Sequence, residues 1–293
     1  MRAVPQWTEF RRYPVVSATL LLAIIASVRF WSGGSIDLLV ENADIGRGQV
    51  WRLVTSALPH VNLMHLAFNL YWLWGLGTIV EGAFGHWRTA ALLILLAAGS
   101  GAADYAIMDG GIGLSGVGYG LFGLLWILHR RGDARFADAM DSRTVGLFAI
   151  WFFVCIALTA AQVMRVGNIA HGAGAVLGVL LGYAIALPSR RREATATLLL
   201  VVLVSIAGAL WLRPWINLSP RAGDDEARRG YDALMANDDD ESLRWCRQAV
   251  RLAPHRSDNW INLGIAMERA GQPAESAKAY ERARELDPAT TQP

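Results

Sequence analysis

Apolar residues in this chain come in long runs, separated by short polar or arginine-bearing stretches. Thr144 to Met164 is a run of twenty-one residues without a charge, and Leu198 to Leu212 one of fifteen. A helix of about 20 mostly apolar residues crosses the ~30 Å hydrocarbon core of a bilayer, so these runs predict transmembrane helices. Seven spans are expected, at about 14–32, 58–80, 89–108, 113–129, 144–164, 168–187 and 194–213. The first follows Arg11 and Arg12 in the manner of a signal sequence. More spans follow it, with no small-x-small cleavage site leading into a soluble protein, so it is read as a retained helix.

From about residue 222 the pattern turns charged and alanine-rich. Trp260, Leu263, Gly264, Met267, Ala270, Gly271, Tyr280, Ala283 and Pro288 fit the 34-residue tetratricopeptide pattern, in which small and aromatic residues let two antiparallel helices pack. Gly230, Ala249 and Pro254 fall in register with Gly264, Ala283 and Pro288, which gives two repeats at about 223–256 and 257–290. The first is degenerate, with Glu226 where Trp260 recurs. Two repeats fall short of the three usually needed for stable stacking. The module is therefore expected to lean on the membrane domain, on a protein partner or on a second copy.

Composition fits this division. Hydrophobic residues make up 54% of the 293 and charged ones 18%, below the roughly 25% of soluble domains. A net charge of +2 argues against nucleic acid. The two cysteines, Cys155 and Cys246, imply no disulfide framework. Arginines are lopsided: eleven lie in the N-terminus and alternate loops (Arg2, Arg11, Arg12, Arg88, Arg130, Arg131, Arg135, Arg143, Arg190, Arg191, Arg192), against Arg47, Arg52 and Arg165 on the other side. Short positive loops stay in the cytoplasm, so the N-terminus is expected inside and, after seven spans, the repeats outside.

Ionisable or strongly polar groups within a span cost ~2.5–3.5 kcal/mol on insertion scales and call for a reason. The second span holds His60, His65 and Asn69, the fourth Ser115 and the sixth His171. All three spans begin at the outer face. His65 and Asn69 would lie ~10 and ~16 Å below it at ~1.5 Å per residue, on one helix face because they are i,i+4. Ser115 and His171 fall in the first turn of their spans, so polar groups from three spans converge on the outer half of the bilayer. Gly113 and Gly116 clear side chains from around the serine. Gly116, Gly120 and Gly123 on one span, with Gly174 and Gly178 on another, predict that these two helices approach closely. A serine hydroxyl becomes a nucleophile when an adjacent base accepts its proton, and histidine suits that task near neutral pH.

The segments His60-Val-Asn-Leu-Met-His65-Leu-Ala-Phe-Asn69, Gly113-Leu-Ser115-Gly116 and Ala170-His171-Gly-Ala-Gly174, with Gly178 beyond, closely resemble the rhomboid intramembrane serine proteases, as do Trp51-Arg52 and Glu81. The resemblance covers about residues 48–187. It implies an all-α polytopic membrane bundle with a rhomboid-like six-helix core over residues 1–193, to which the span at 194–213 and a small soluble helical repeat domain at 222–290 are added. It implies that Ser115 is the nucleophile and His171 the base, with no aspartate third member. The oxyanion hole would come from His65, Asn69 and the Ser115 backbone N–H. His60 would support it, and Tyr119 would pack on the catalytic histidine. The loop through Gly110-Gly111-Ile112-Gly113 would dip into the protein to bring Ser115 to depth. Substrates would be transmembrane proteins met in the lipid bilayer, with no cofactor or metal, in a bacterial inner membrane.

Other chemistries lack their residues. There is no H-E-x-x-H zinc helix and no pair of intramembrane aspartates. A client-binding rhomboid relative without activity would lack the Ser115–His171 pair, and a transporter would show an inverted repeat. His86, His129 and His255 read as surface residues, and Trp72, Trp74, Trp126 and Trp151 as packing or lipid-facing ones. Trp51-Arg52 reads equally as an interfacial anchor or as part of the activity. Asp104, near the outer end of the third span, has no role in this reading.

Overall fold

The fold is taken from a computed structural model of the chain, which describes residues 6–288. Helices account for all the regular structure among the described residues. They are α1 (Pro14–Trp31), α2 (Arg52–Thr55), α3 (Leu63–Phe84), α4 (His86–Ile107), α5 (Ser115–Arg130), α6 (Ser142–Ala160), α7 (Asn168–Ala186), α8 (Arg191–Ala207), α9 (Arg213–Ile216), α10 (Asp224–Met235), α11 (Asp239–Leu252), α12 (Ser257–Arg269) and α13 (Pro273–Leu286). The chain divides into two compact units between Leu210 and Trp211.

Among the described residues, six helices are long and apolar enough to cross a membrane: Pro14–Trp31, Leu63–Phe84, His86–Ile107, Ser142–Ala160, Asn168–Ala186 and Pro188–Ile216. This is an integral membrane protein. The last of the six runs through a π-helical turn at Gly208–Leu212. The span expected at 113–129 is α5, which at 16 residues is shorter than these. Its length fits its place, because most of its side chains are buried against other helices, among them Leu121, Leu124, Leu125 and Leu128. Helices α6 and α8, by contrast, turn Ile150, Phe153, Leu200 and Leu203 outward.

Helix ends follow local chemistry. Asn62 opens α3 by accepting the His65 N–H at 2.9 Å, and Asp141 opens α6 by accepting that of Thr144 at 2.7 Å. The start of α1 is capped from a distance. Glu81, buried on α3, accepts the Val15 and Val16 N–H groups at 3.0 and 2.9 Å and bonds His86 Nδ1 at 2.7 Å. These are donors that the first turn of a helix cannot satisfy internally. His86 is thus exposed but tied to the α3 carboxylate. Trp74 is buried and meets Tyr13 edge-on, while Trp151 is exposed.

The expected close approach of α5 and α7 is found. A Cβ added at Gly174 or Gly178 would overlap the carbonyl oxygens of Gly116 and Gly120, and one at Gly123 would lie 2.5 Å from the Ala175 carbonyl. Backbone therefore rests on backbone along this seam.

In the second unit, α10–α11 and α12–α13 form two helix pairs. A Cβ at Gly230 would stand 2.6 Å from Cys246 Sγ, and one at Gly264 2.6 Å from the Tyr280 ring. These glycines, 34 residues apart, do the same job in each pair. Ala249 and Ala283 are buried at equivalent places. Cys246 sits in the small core with Leu234, Val250 and Leu263, and burial pushes its thiol up to about 12. Such a thiol is inert at neutral pH. Glu226 is also buried. Burial raises its carboxyl above the ordinary range, and the Arg213 guanidinium only partly opposes this.

Candidate active site

Ser115 is the first residue of α5, half-buried, with Leu114 before it in a non-helical conformation. The amides of a helix's first turn have no intrahelical partner, so the Ser115 N–H is aimed out of the helix end. The loop leading to it needs its glycines. Gly110 and Gly113 have φ of +76° and +119°, a region that L side chains rarely adopt. A Cβ at Gly113 would come 2.6 Å from His65 Cε1 and 3.4 Å from His60 Cδ2. Both histidines therefore pack on the turn before the serine.

His60 is fully buried and holds that turn. Its Nε2 accepts the Leu114 N–H at 3.3 Å. A ring nitrogen that accepts carries no proton, so the proton is on Nδ1, which meets the Leu58 carbonyl at 2.9 Å and Ser27 Oγ at 3.3 Å. Trp31 donates to the His60 carbonyl at 2.9 Å. Ser27 and Trp31, both on α1, were not singled out in the sequence; 33 and 29 residues separate them from His60, and no local motif marks them.

His65 stands edge-on to His60 with ring centroids 4.9 Å apart, and its Nδ1 is buried without a hydrogen-bond partner. Asn69, one turn on, is buried and donates from Nδ2 to the His65 carbonyl at 3.0 Å. Since Nδ2 carries two hydrogens, this bond fixes the amide's direction and uses one of them.

His171 occupies the first turn of α7 and is buried. The Tyr119 ring, one turn after Ser115, stacks on it with centroids 4.7 Å apart and planes at 27°. The Tyr119 hydroxyl donates to the Phe148 carbonyl of α6 at 3.1 Å. On the same seam a Cβ at Gly116 would lie 3.3 Å from the Ala170 carbonyl, so the residues beside Ser115 and His171 are in contact. His171 Nδ1 is buried with no partner. No hydrogen bond joins Ser115 Oγ to His171 among the described residues. Such bonds often close only around substrate.

The segment between α1 and α3 braces the loop. Glu41 accepts the Gly111 N–H at 3.2 Å, and the Ser56 carbonyl accepts that of Gly113 at 3.2 Å. Arg52 is buried, donates to the Val40 carbonyl at 2.9 Å and to that of Asp37, and pairs with Asp44 at 3.5 Å. Trp51 is half-exposed and donates to the Leu38 carbonyl at 3.2 Å. The two residues part ways: Arg52 knits this segment from inside, while Trp51 lies at its surface. No group of three or more His, Cys, Asp or Glu capable of holding a metal occurs among the described residues.

Comparison with known proteins finds similarity in both units of the chain. Residues 47–188 match the Rhomboid domain, and residues 257–290 match the tetratricopeptide repeat. The chain is 35% identical over 137 residues to the rhomboid protease GlpG of Serratia proteamaculans, covering 46% of this chain and 48% of the relative. It is 29% identical over 180 residues to that of Photorhabdus laumondii, covering 60% and 63%. With the Yersinia pestis protein of the same name it shares 31% over 140 residues, 46% and 48%. The chain thus spans between about half and two thirds of the length of these relatives.

Proposed function

We propose that this protein is an intramembrane serine endopeptidase that hydrolyses peptide bonds in or near transmembrane segments of other membrane proteins. The observation that carries the reading is the Tyr119–His171 stack beside the glycine-lined α5–α7 seam, which sets the base next to the helix end bearing Ser115. His171 takes the proton from Ser115 Oγ as that oxygen attacks the scissile carbonyl. It returns the proton to the leaving amine, which leaves an acyl-enzyme that water hydrolyses by the same route. With no partner on Nδ1, His171 depends on Tyr119 rather than on a carboxylate for its orientation. The tetrahedral oxyanion is met by the Ser115 N–H, by the second Nδ2 hydrogen of Asn69 and by His65. His60, Gly113 and Gly116 keep the approach to Ser115 in shape.

In the same reading the protease core spans residues 1–193, the seventh span residues 194–213 and the repeats residues 222–290. The protein sits in a bacterial inner membrane, with the N-terminus cytoplasmic and the repeats extracytoplasmic, where they recruit a protein partner or substrate. The experiment is to treat the purified full chain with a fluorophosphonate and map the adduct by mass spectrometry. An adduct on Ser115 that is lost in H171A is expected. Absence of any adduct there would remove the proposed chemistry.

A further inference from the structure

The sequence left Asp104 without a role. It sits near the end of α4 with 2% exposure. Its Oδ1 accepts the Ala170 N–H at 3.2 Å. Ala170 is the third residue of α7 and directly precedes His171, so the carboxylate meets one of the amides that the first turn leaves unsatisfied. A negative group there also complements the positive end of the helix. The same carboxylate also faces the loop before Ser115 and the residue that leads into α7. Cβ atoms added at Gly111 and Gly167 would lie 3.6 and 3.5 Å from its Oδ2. Gly111 is four residues before Ser115, and Gly167 immediately precedes α7. On the exposed side the same two segments are also joined by the Arg165–Asp109 pair at 3.3 Å. That pair is solvated and worth little, so the buried carboxylate is the firmer tie.

We propose that Asp104 is a positioning residue: one buried carboxylate sets the start of α7, and hence His171, against the loop that delivers Ser115. It touches neither substrate nor the reacting atoms. It acts through the Ala170 amide and the packing of Gly111 and Gly167. This rests on the dyad reading given above, and the two are separable by experiment.

The test is the second-order rate at which a small fluorophosphonate modifies Ser115 in the full chain, read for wild type, Asp104→Ala and Asp104→Asn beside their unfolding temperatures in one detergent. Misplacement of a base by about 1 Å costs on the order of 10²-fold. Asp104→Ala should therefore be slower by ~10-fold or more. Asp104→Asn keeps an oxygen acceptor but loses the charge-assisted bond, so it should fall between, at ~3-fold or more below wild type, with its unfolding temperature unchanged. Should Asp104→Ala fail to fold, Asp104→Asn decides alone. A wild-type rate in Asp104→Asn overturns the positioning role and leaves the dyad standing. A slow rate matched by a lowered unfolding temperature also overturns it, since the residue would then serve the fold at large. No labelling of Ser115 in wild type overturns the dyad and this proposal together.

Discussion

Tyr119 lies almost parallel to His171, ring centroid to centroid 4.7 Å, while its hydroxyl reaches across to the Phe148 carbonyl. The ring and the hydroxyl therefore do separate things, one for the imidazole and one for the α5–α6 contact. Tyr119→Phe should keep most of the turnover, because the stacking face is retained. Tyr119→Ala should lower turnover of a transmembrane substrate by ~10-fold or more, since a loosely held base loses its alignment. Equal loss in the two variants would assign the effect to the hydroxyl instead.

Asn69 makes one bond that orients it and keeps a second Nδ2 hydrogen, which the proposed mechanism assigns to the oxyanion. Asn69→Ala should lower kcat while leaving KM nearly unchanged, because the missing bond strengthens only as the oxyanion forms. Removing one such donor costs ~10²–10³-fold, and with two others in place the lower end is expected. Steady-state kinetics on a transmembrane substrate decide this; a change confined to KM would make Asn69 a packing residue.

What the sequence made legible divides along a physical line. The close approach of the helices that carry Ser115 and His171 was readable because glycines such as Gly116 and Gly174 stand out inside apolar runs. The repeat register was readable because Gly230 and Gly264 answer the same steric need 34 residues apart. What escaped were bonds from side chains to distant backbone. Asp104 serves the Ala170 amide, Glu41 the Gly111 amide and Trp31 the His60 carbonyl. A backbone amide has no residue identity, so no motif announces its partner. Arg52 was ambiguous for the same reason: two of its acceptors are backbone carbonyls, those of Asp37 and Val40. Glu226 read simply as a lapse from the repeat pattern, yet it is buried.

That burial gives Glu226 a pH signature. Its folded pKa is raised, chiefly by desolvation. The stability it contributes is therefore present below the ordinary carboxylate range and lost as pH rises through the raised folded value. Hydrogen exchange of the α10 amides in the full chain should speed up across that window beyond the intrinsic pH dependence. Glu226→Gln should remove the excess; an unchanged pH dependence would show that the carboxyl keeps an ordinary value.

The side of the membrane on which the repeats lie is open to a labelling test. Gly223 is a poor site for a probe, since its φ is +88° and a Cβ there would crowd Ala249 and Ala253. Met235, at the end of α10, is 59% exposed. In a background lacking Cys155 and Cys246, Met235→Cys should react with a membrane-impermeant maleimide in right-side-out spheroplasts. Protection until lysis would place the repeats in the cytoplasm and remove their proposed recruiting role.

In the proposed mechanism Ser115 and His171 act as one catalytic unit. Cleavage of a model transmembrane substrate in proteoliposomes by wild type, Ser115→Ala, His171→Ala and the double variant, each checked for insertion and folding, puts this to the test. Residues acting as a unit are non-additive, so each single variant should be inactive and the double no worse than either. Substantial cleavage by folded Ser115→Ala would contradict the account.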